Sequence, residues 1–372
     1  MLALKVKPTV YYFDKVSEFN EEFEITKDDV LVTNEWIYKP YIEPLGIDCN
    51  VILQEKYGTS EPSDEMIDGI MEEMKKYNPK RIIALGGGTI IDICKVLALD
   101  VPGKSKDVLL GNVPPKKVRE LICIPTTAGT GSEVSKSAVA EIKSMGVKTA
   151  LGVEETYADV AALIPETMNG LPYKVFSMSS VDALIHCIEA FLAPKATPAT
   201  DLFAKEGIKL IMNGYKAISE KGEEERFNHM KDFVFGSCYG GIAFSITGVA
   251  AVHALSYSIG AAFHVPHGES NYVFFTEVMK LYNKKEPNGK IKELADILAE
   301  CMGVSKDGDV FEELDKFLSK LIEKKSLQEY GTTEAQIDDF VKSTRENQQR
   351  ILVNNYVPFS DEELRQIFVN LF

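Results

Sequence analysis

Arg81-Ile82-Ile83-Ala84-Leu85-Gly86-Gly87-Gly88-Thr89-Ile90-Ile91-Asp92-Ile93-Cys94-Lys95 passes from an apolar run through three glycines into a helical pattern. Glycines let the backbone approach a ligand closely, and a helix N-terminus offers free N–H groups and positive dipole to a pyrophosphate. The turn lacks the G-x-G-x-x-G spacing, and taken alone it fits a tight turn as well as a nucleotide loop. About forty residues on, Ile124-Pro125-Thr126-Thr127-Ala128-Gly129-Thr130-Gly131-Ser132-Glu133 sets hydroxyls and glycine amides after another apolar run, the place where open α/β sheets bind ligands. Short apolar runs at residues 30–33, 50–53, 81–85, 121–125, 148–152 and 160–164 read as strands of a parallel sheet. The segment 63–77, with Met66, Ile70, Met71 and Met74 at helical spacing, supplies one crossover helix.

After Pro165 the texture changes and nearly every segment reads as helix. The spacing predicts helices over 174–192, 199–219, 223–239, 272–283, 291–302, 310–323, 333–349 and 361–371. We therefore expect an α/β plus all-α protein: a dinucleotide-binding domain over residues 1–175 with a parallel sheet, and a helical metal-binding domain over 176–372. At 372 residues, 45% hydrophobic and 26% charged, the chain suits two buried cores. A formal net charge of -15 argues against a surface built for nucleic acid or anionic lipid. No run approaches the roughly 18 to 20 uninterrupted apolar residues of a membrane span, and the first fifteen residues lack a signal peptide's apolar core. A cytoplasmic protein with neither membrane nor nucleic-acid partner is expected. Cys49, Cys94, Cys123, Cys187, Cys238 and Cys301 form no C-x-x-C pair, so they signal no disulfide framework or cysteine zinc site.

Three histidines combine with one aspartate in the second half. Asp182 and His186, in Ser180-Val181-Asp182-Ala183-Leu184-Ile185-His186, are four residues apart and share a helix face. His253 and His267 complete a set of one carboxylate and three imidazoles, which suits Fe(II) or Zn(II) better than Mg(II) or Ca(II). Any one of these histidines alone reads more readily as a satisfied core residue than as a ligand; it is their clustering that points to a metal.

Taken together, G-G-G-T-I-I-D-I-C-K, P-T-T-A-G-T-G-S-E, D-A-L-I-H and H-x13-H-G resemble the iron-dependent (group III) alcohol dehydrogenases in order and spacing over nearly the whole chain. The resemblance implies the dehydroquinate synthase-like fold. The resemblance implies a dinucleotide and a divalent metal, Fe(II) in preference to Zn(II), meeting in a cleft between the two domains. It further implies a small alcohol or aldehyde substrate and a homo-oligomer. Residues 54–58, 61–65, 252–257, 263–269 and 348–356 look like the NAD-dependent branch that interconverts 4-hydroxybutyrate and succinic semialdehyde.

By that resemblance Asp182, His186, His253 and His267 are the metal ligands, in agreement with the spacing. Gly86, Gly87, Gly88 and Thr89 hold the pyrophosphate, Thr126, Thr127 and Thr130 line the nicotinamide side, and Lys148 contacts the cofactor's sugar-phosphate portion. Two positions depart from the family pattern. Asn34 stands where many relatives carry an aspartate on the adenosine ribose; its amide is expected to hydrogen-bond a ribose hydroxyl without repelling NADP. Tyr257 replaces a histidine thought to relay protons, and its unperturbed pKa near 10 suits that task less well. His264 is a candidate for proton transfer or substrate binding. Arg350, with Lys195 and His264 behind it, is the candidate partner of a substrate carboxylate. The competing readings are a dehydrogenase for another small alcohol or diol, a lyase of the dehydroquinate synthase type, and a non-catalytic nucleotide-binding regulator.

Overall fold

The computed structural model describes residues 2–59 and 61–372. By packing, the chain divides into a sheet unit, residues 6–171, and a helical unit, residues 2–5 and 172–372. The division falls at Pro172, which caps the long helix beginning at Tyr173, four residues ahead of the expected 175/176. The first residues join the helical unit, where Thr197 donates a hydrogen bond to the Ala3 carbonyl at 2.8 Å.

In the sheet unit, β1 (Thr9–Tyr12), β2 (Asp29–Thr33), β3 (Asn50–Leu53), β4 (Arg81–Gly86), β5 (Glu120–Pro125) and β8 (Val160–Leu163) form one sheet in the order β1-β8-β5-β4-β2-β3. All its pairs are parallel. Helices α1 (Val16–Phe23), α2 (Glu35–Tyr41), α3 (Asp64–Met74), α4 (Gly88–Leu97) and α5 (Ser105–Leu109) connect them. Residue parity explains the layers. Val30, Val32, Ile82, Ala84, Leu121 and Cys123 pack with Ile67 of α3 and Ile91 of α4. Their alternates Leu31, Ile83, Leu85, Ile122 and Ile124 pack with Phe19 of α1 and Ile37 of α2 on the other face. A strand buried on both faces reads as a continuous apolar run, which is why these runs were legible.

Residues 148–152 do not join this sheet. They belong to β7 (Val147–Gly152), which pairs antiparallel with β6 (Ser137–Ile142) as a separate hairpin. The sequence signal was the period-two burial of β6 and the Gly146 turn, at φ 62°, which only a glycine enters freely.

The helical unit comprises α6 (Tyr173–Leu192), α7 (Pro198–Lys221), α8 (Met230–Thr247), α9 (Ala251–Phe263), α10 (His267–Lys285), α11 (Lys290–Met302), α12 (Val310–Ser319), α13 (Glu334–Asn347), α14 (Gln349–Leu352) and α15 (Asp361–Asn370). The expected helix over 223–239 is instead a 3-10 segment, Glu223–His229, followed by α8. Apolar α6 lies in the core against α7, α8 and α10. Its approach to α7 and α8 depends on glycines: a Cβ on Gly207 would stand 2.6 Å from Cys187 Sγ, and one on Gly240 would stand 2.9 Å from it.

Candidate functional site

Asp182 and His186 sit one turn apart on α6, His253 lies in the first turn of α9 and His267 begins α10. Each offers one donor atom, and the four atoms lie within 4.8 Å of one another. His186 Nε2 and His253 Nε2 are 3.0 Å apart. Asp182 Oδ1 lies 3.7 Å from His253 Nε2 and 3.9 Å from His267 Nε2. Nitrogens about 2.1 Å from one tetrahedral ion stand about 3.4 Å apart, so these separations fit a single cation. Asp182, His186 and His253 are buried, whereas the His267 side chain is 43% exposed. The set thus has one side, at His267, open to solvent.

The electrostatics favour ligand-competent forms of Asp182 and His186. Burial would raise the Asp182 carboxyl, but His186, His267, His253 and a hydrogen bond from Asn271 outweigh it and hold the carboxyl below its usual range. Burial pushes His186 down to about 4, so it presents a neutral imidazole at pH 7. His253 moves upward: burial opposes the charged form, yet attraction to Glu189 and the hydrogen bond that His253 donates to it win.

Glu189 is a residue the sequence reading missed. It lies on α6 at the i+7 position from Asp182, on the same face. Its Oε2 is 2.7 Å from His253 Nδ1 and accepts a hydrogen bond from Ala250 N at 2.7 Å, while Oε1 accepts one from Val252 N at 2.7 Å. Donation from Nδ1 leaves the His253 Nε2 lone pair turned toward the other three donors, the arrangement that orients metal-bound histidines. Asn271 was also missed: its Nδ2 donates to Asp182 Oδ1 at 2.7 Å and stands 3.1 Å from His267 Nε2.

Gly268 makes the convergence possible. A Cβ there would fall 2.2 Å from the Met178 carbonyl oxygen and 3.5 Å from Asp182 Cβ. Only a glycine lets the start of α10 approach the backbone of α6 this closely.

The residues expected to hold the cofactor's phosphates come together in the sheet unit. Gly86 ends β4, Gly87 caps α4, and Gly88 and Thr89 begin it. Thr126, Thr127 and Thr130 follow the adjacent β5. Thr126 N donates to Gly86 O at 3.1 Å. A Cβ on Gly87 would lie 3.5 Å from Thr127 Cγ2, and one on Gly88 would lie 2.9 Å from Thr130 Cγ2, so the two loops interlock. Wholly buried Lys95 ties α4 to this region, donating to Ser132 Oγ and Ser137 O at 2.6 Å and to Asp92 Oδ1 at 3.2 Å. Asp92 Oδ2 accepts from Val139 N at 3.0 Å. The sequence reading gave neither residue of this pair a role.

Burial lifts the Glu133 carboxyl from its ordinary 4.5 to about 7. The folded protein therefore holds a proton that the unfolded chain has released. The associated stability is full below pH 4.5 and is lost as pH rises through 7, by about 3 kcal/mol at most. Thermal unfolding between pH 4.5 and 8 should show the wild type losing this much more stability than Glu133→Gln as pH rises; parallel curves would refute the shift.

Other expected site residues are more dispersed. Lys148 is on β7, half-exposed and ion-paired with Glu61. Tyr257 lies one turn after His253 on α9. His264 ends α9 in the left-handed region, at φ 54°, and is exposed. Arg350 is exposed on the short α14, which packs against α9. Lys195 is exposed after α6. Asn34 caps α2, but its amide is not available as expected: both donor hydrogens go to protein partners, Gln54 and Glu55.

A sheet unit with paired glycine and threonine loops, together with a helical unit carrying one carboxylate and three imidazoles, defines a metal-assisted dehydrogenase architecture. Residues 8–165 match the model of the iron-containing alcohol dehydrogenases, and residues 176–372 match that of the Fe-containing alcohol dehydrogenase family, C-terminal. The chain belongs to the iron-containing alcohol dehydrogenase family. Over 374 aligned residues it is 49% identical to the 4-hydroxybutyrate dehydrogenase of Clostridium kluyveri, covering 100% of both chains. It is 31% identical to long-chain-alcohol dehydrogenase 1 of Geobacillus thermodenitrificans over 78% of this chain and 74% of that one. Its fold matches sulfoacetaldehyde reductase from Bifidobacterium kashiwanohense in complex with NAD+, with a TM-score of 0.87 and 23% identity over 100% of this chain and 99% of that one.

Proposed function

We propose that the protein is an NAD-linked, metal-dependent dehydrogenase that interconverts 4-hydroxybutyrate and succinic semialdehyde. The observation that carries this reading is the full-length 49% identity to the Clostridium kluyveri enzyme, combined with an intact convergent donor set. Asp182, His186, His253 and His267 would hold the ion, with Fe(II) favoured and Zn(II) also suited to these donors. The bound cation supplies Lewis acidity to the alcohol or carbonyl oxygen, and the nicotinamide exchanges the hydride. Glu189 fixes the His253 ring, and Asn271 steadies Asp182. Gly86 to Thr89 would receive the pyrophosphate at the α4 N-terminus, with Thr126, Thr127 and Thr130 beside them and Lys148 on the sugar-phosphate portion. Tyr257 is the proposed proton relay, with His264 as its alternative. Arg350 is the proposed carboxylate partner.

The test is NADH oxidation with succinic semialdehyde and with butanal, using protein reconstituted with Fe(II) or Zn(II) and protein stripped by chelator. A strong semialdehyde preference that vanishes on stripping is expected. Arg350→Leu should raise KM for the semialdehyde far more than for butanal. Equal rates on both aldehydes would remove the carboxylate site. No net NADH turnover with either metal would overturn the dehydrogenase reading in favour of a lyase that regenerates its cofactor.

A further inference from the structure

Position 34, just after β2, carries no acid, and the next residue, Glu35, is paired with Lys39; yet a second carboxylate stands beside Asn34. Asn34 follows β2 and is 7% exposed. Its Nδ2 donates to Gln54 Oε1 at 3.1 Å and to Glu55 Oε2 at 2.9 Å. Both side chains come from the turn Gln54–Tyr57 directly after β3, the strand paired with β2. Gln54 is buried and donates in turn to Gly58 O at 2.7 Å. Glu55 Oε1 accepts from Glu35 N at 2.8 Å. Glu55 is therefore held from two sides, reaching back across the end of β2.

This place has topological meaning. From β2 the chain moves outward to β3, then crosses back to β4 on the other flank of β2. The crevice at the C-terminal ends of β2 and β4 is thus the switch point where doubly wound sheets take dinucleotides. The glycine turn occupies the β4 side, and Asn34 with Glu55 occupies the β2 side. Thr33, the last residue of β2, adds a buried hydroxyl with no hydrogen-bond partner in the protein.

We propose that Glu55 recognises the adenosine ribose and sets the preference for NAD over NADP, replacing from a neighbouring strand the carboxylate absent at position 34. The inference rests on the dinucleotide reading given above. An ionised carboxylate has about four lone-pair sites. The two protein donors use one on each oxygen, which leaves one on each for the vicinal ribose hydroxyls in short, charge-assisted bonds. A 2′-phosphate would bring its negative charge against that carboxylate at close range. Among the described residues no ion pair neutralises Glu55, and the nearby Lys39 is engaged with Glu35 at 2.9 Å. Asn34 becomes the residue that positions Glu55, since its donors are already spent.

Trp36, the chain's single tryptophan, is 61% exposed on α2 two residues from Asn34, so its emission reports binding here independently of turnover. Titrations with NADH and NADPH would compare wild type, Glu55→Gln and the double variant Asn34→Asp/Glu55→Gln, each checked by thermal unfolding. Wild type should prefer NADH. Glu55→Gln should weaken NADH binding about tenfold, as loss of hydrogen bonds to a charged group does, and strengthen NADPH binding. The double variant, which moves the carboxylate to position 34, should restore the NADH preference. An unchanged NADH-to-NADPH ratio in folded Glu55→Gln would overturn the assignment while leaving the dehydrogenase reading intact. Equal loss of both cofactors would also overturn it, because Glu55 would then support binding without discrimination. If Glu55→Gln fails to fold, Glu55→Ser, which removes the carboxylate without adding one elsewhere, is titrated in its place: loss of the NADH preference upholds the assignment, and an unchanged NADH-to-NADPH ratio refutes it. Failure of wild type to bind either cofactor would instead remove the dinucleotide reading itself.

Discussion

His253→Ala protein, incubated with Fe(II) or Zn(II) and then dialysed, is expected to retain little metal and to oxidise NADH more than about a thousandfold more slowly than wild type. The estimate follows from the several kcal/mol a catalytic cation contributes, at 1.36 kcal/mol per factor of ten. His253 supplies one of four convergent donors and the only ring that Glu189 orients among the described residues. Glu189→Gln separates these roles. It keeps every ligand but weakens the hold on the His253 ring, and should cost about 10- to 100-fold in metal affinity. Metal content by elemental analysis, read beside turnover, checks both. A His253→Ala protein with one tightly held ion and wild-type rates would refute the site.

Gly268→Ala should be nearly as damaging, although it removes no donor. The new Cβ meets a backbone oxygen at 2.2 Å, and a backbone carbonyl cannot rotate away as a flexible side chain can. The start of α10 must retreat by about 1 Å, a displacement that can cost 10²-fold in rate when it misplaces reacting groups. His267, the adjacent residue, retreats with it. Metal affinity and kcat should fall together, with about 1–3 kcal/mol of stability lost to overpacking. Gly260→Ala on α9 is the control: its Cβ would meet nothing nearer than 3.6 Å, so metal affinity should stay near that of wild type. Equal behaviour of the two variants would show that close approach at Gly268 is dispensable.

Much of this was legible in the sequence, and what was not has identifiable causes. Strands β2, β4 and β5 are buried on both faces and announce themselves as apolar runs, while β1 has the exposed and half-buried pattern of an edge and gave no such signal. The i, i+4 spacing of Asp182 and His186 placed two donors on one helix face without any structure. His253 was legible as a residue, but its helix was not. Residues 249–263 are apolar on nearly every side and α9 has no side-chain cap, so periodicity offered neither a start nor a face. Glu189 was visible at i+7, yet its partners lie 61 to 64 residues away. The need for glycine at 268 depends on the Met178 carbonyl, ninety residues earlier. Asn34 shows the limit of reading one position at a time: its character changes once Gln54 and Glu55 are brought beside it by strand pairing.

The close approach at Gly88 couples two loops that are far apart in the chain. A side chain at 88 would crowd Thr130 Cγ2 at 2.9 Å, whereas one at 87 would meet Thr127 only in ordinary contact. A smaller residue at 130 should therefore soften the cost of Gly88→Ala and leave that of Gly87→Ala unchanged, so the order in which positions 88 and 130 change matters as much as their identity.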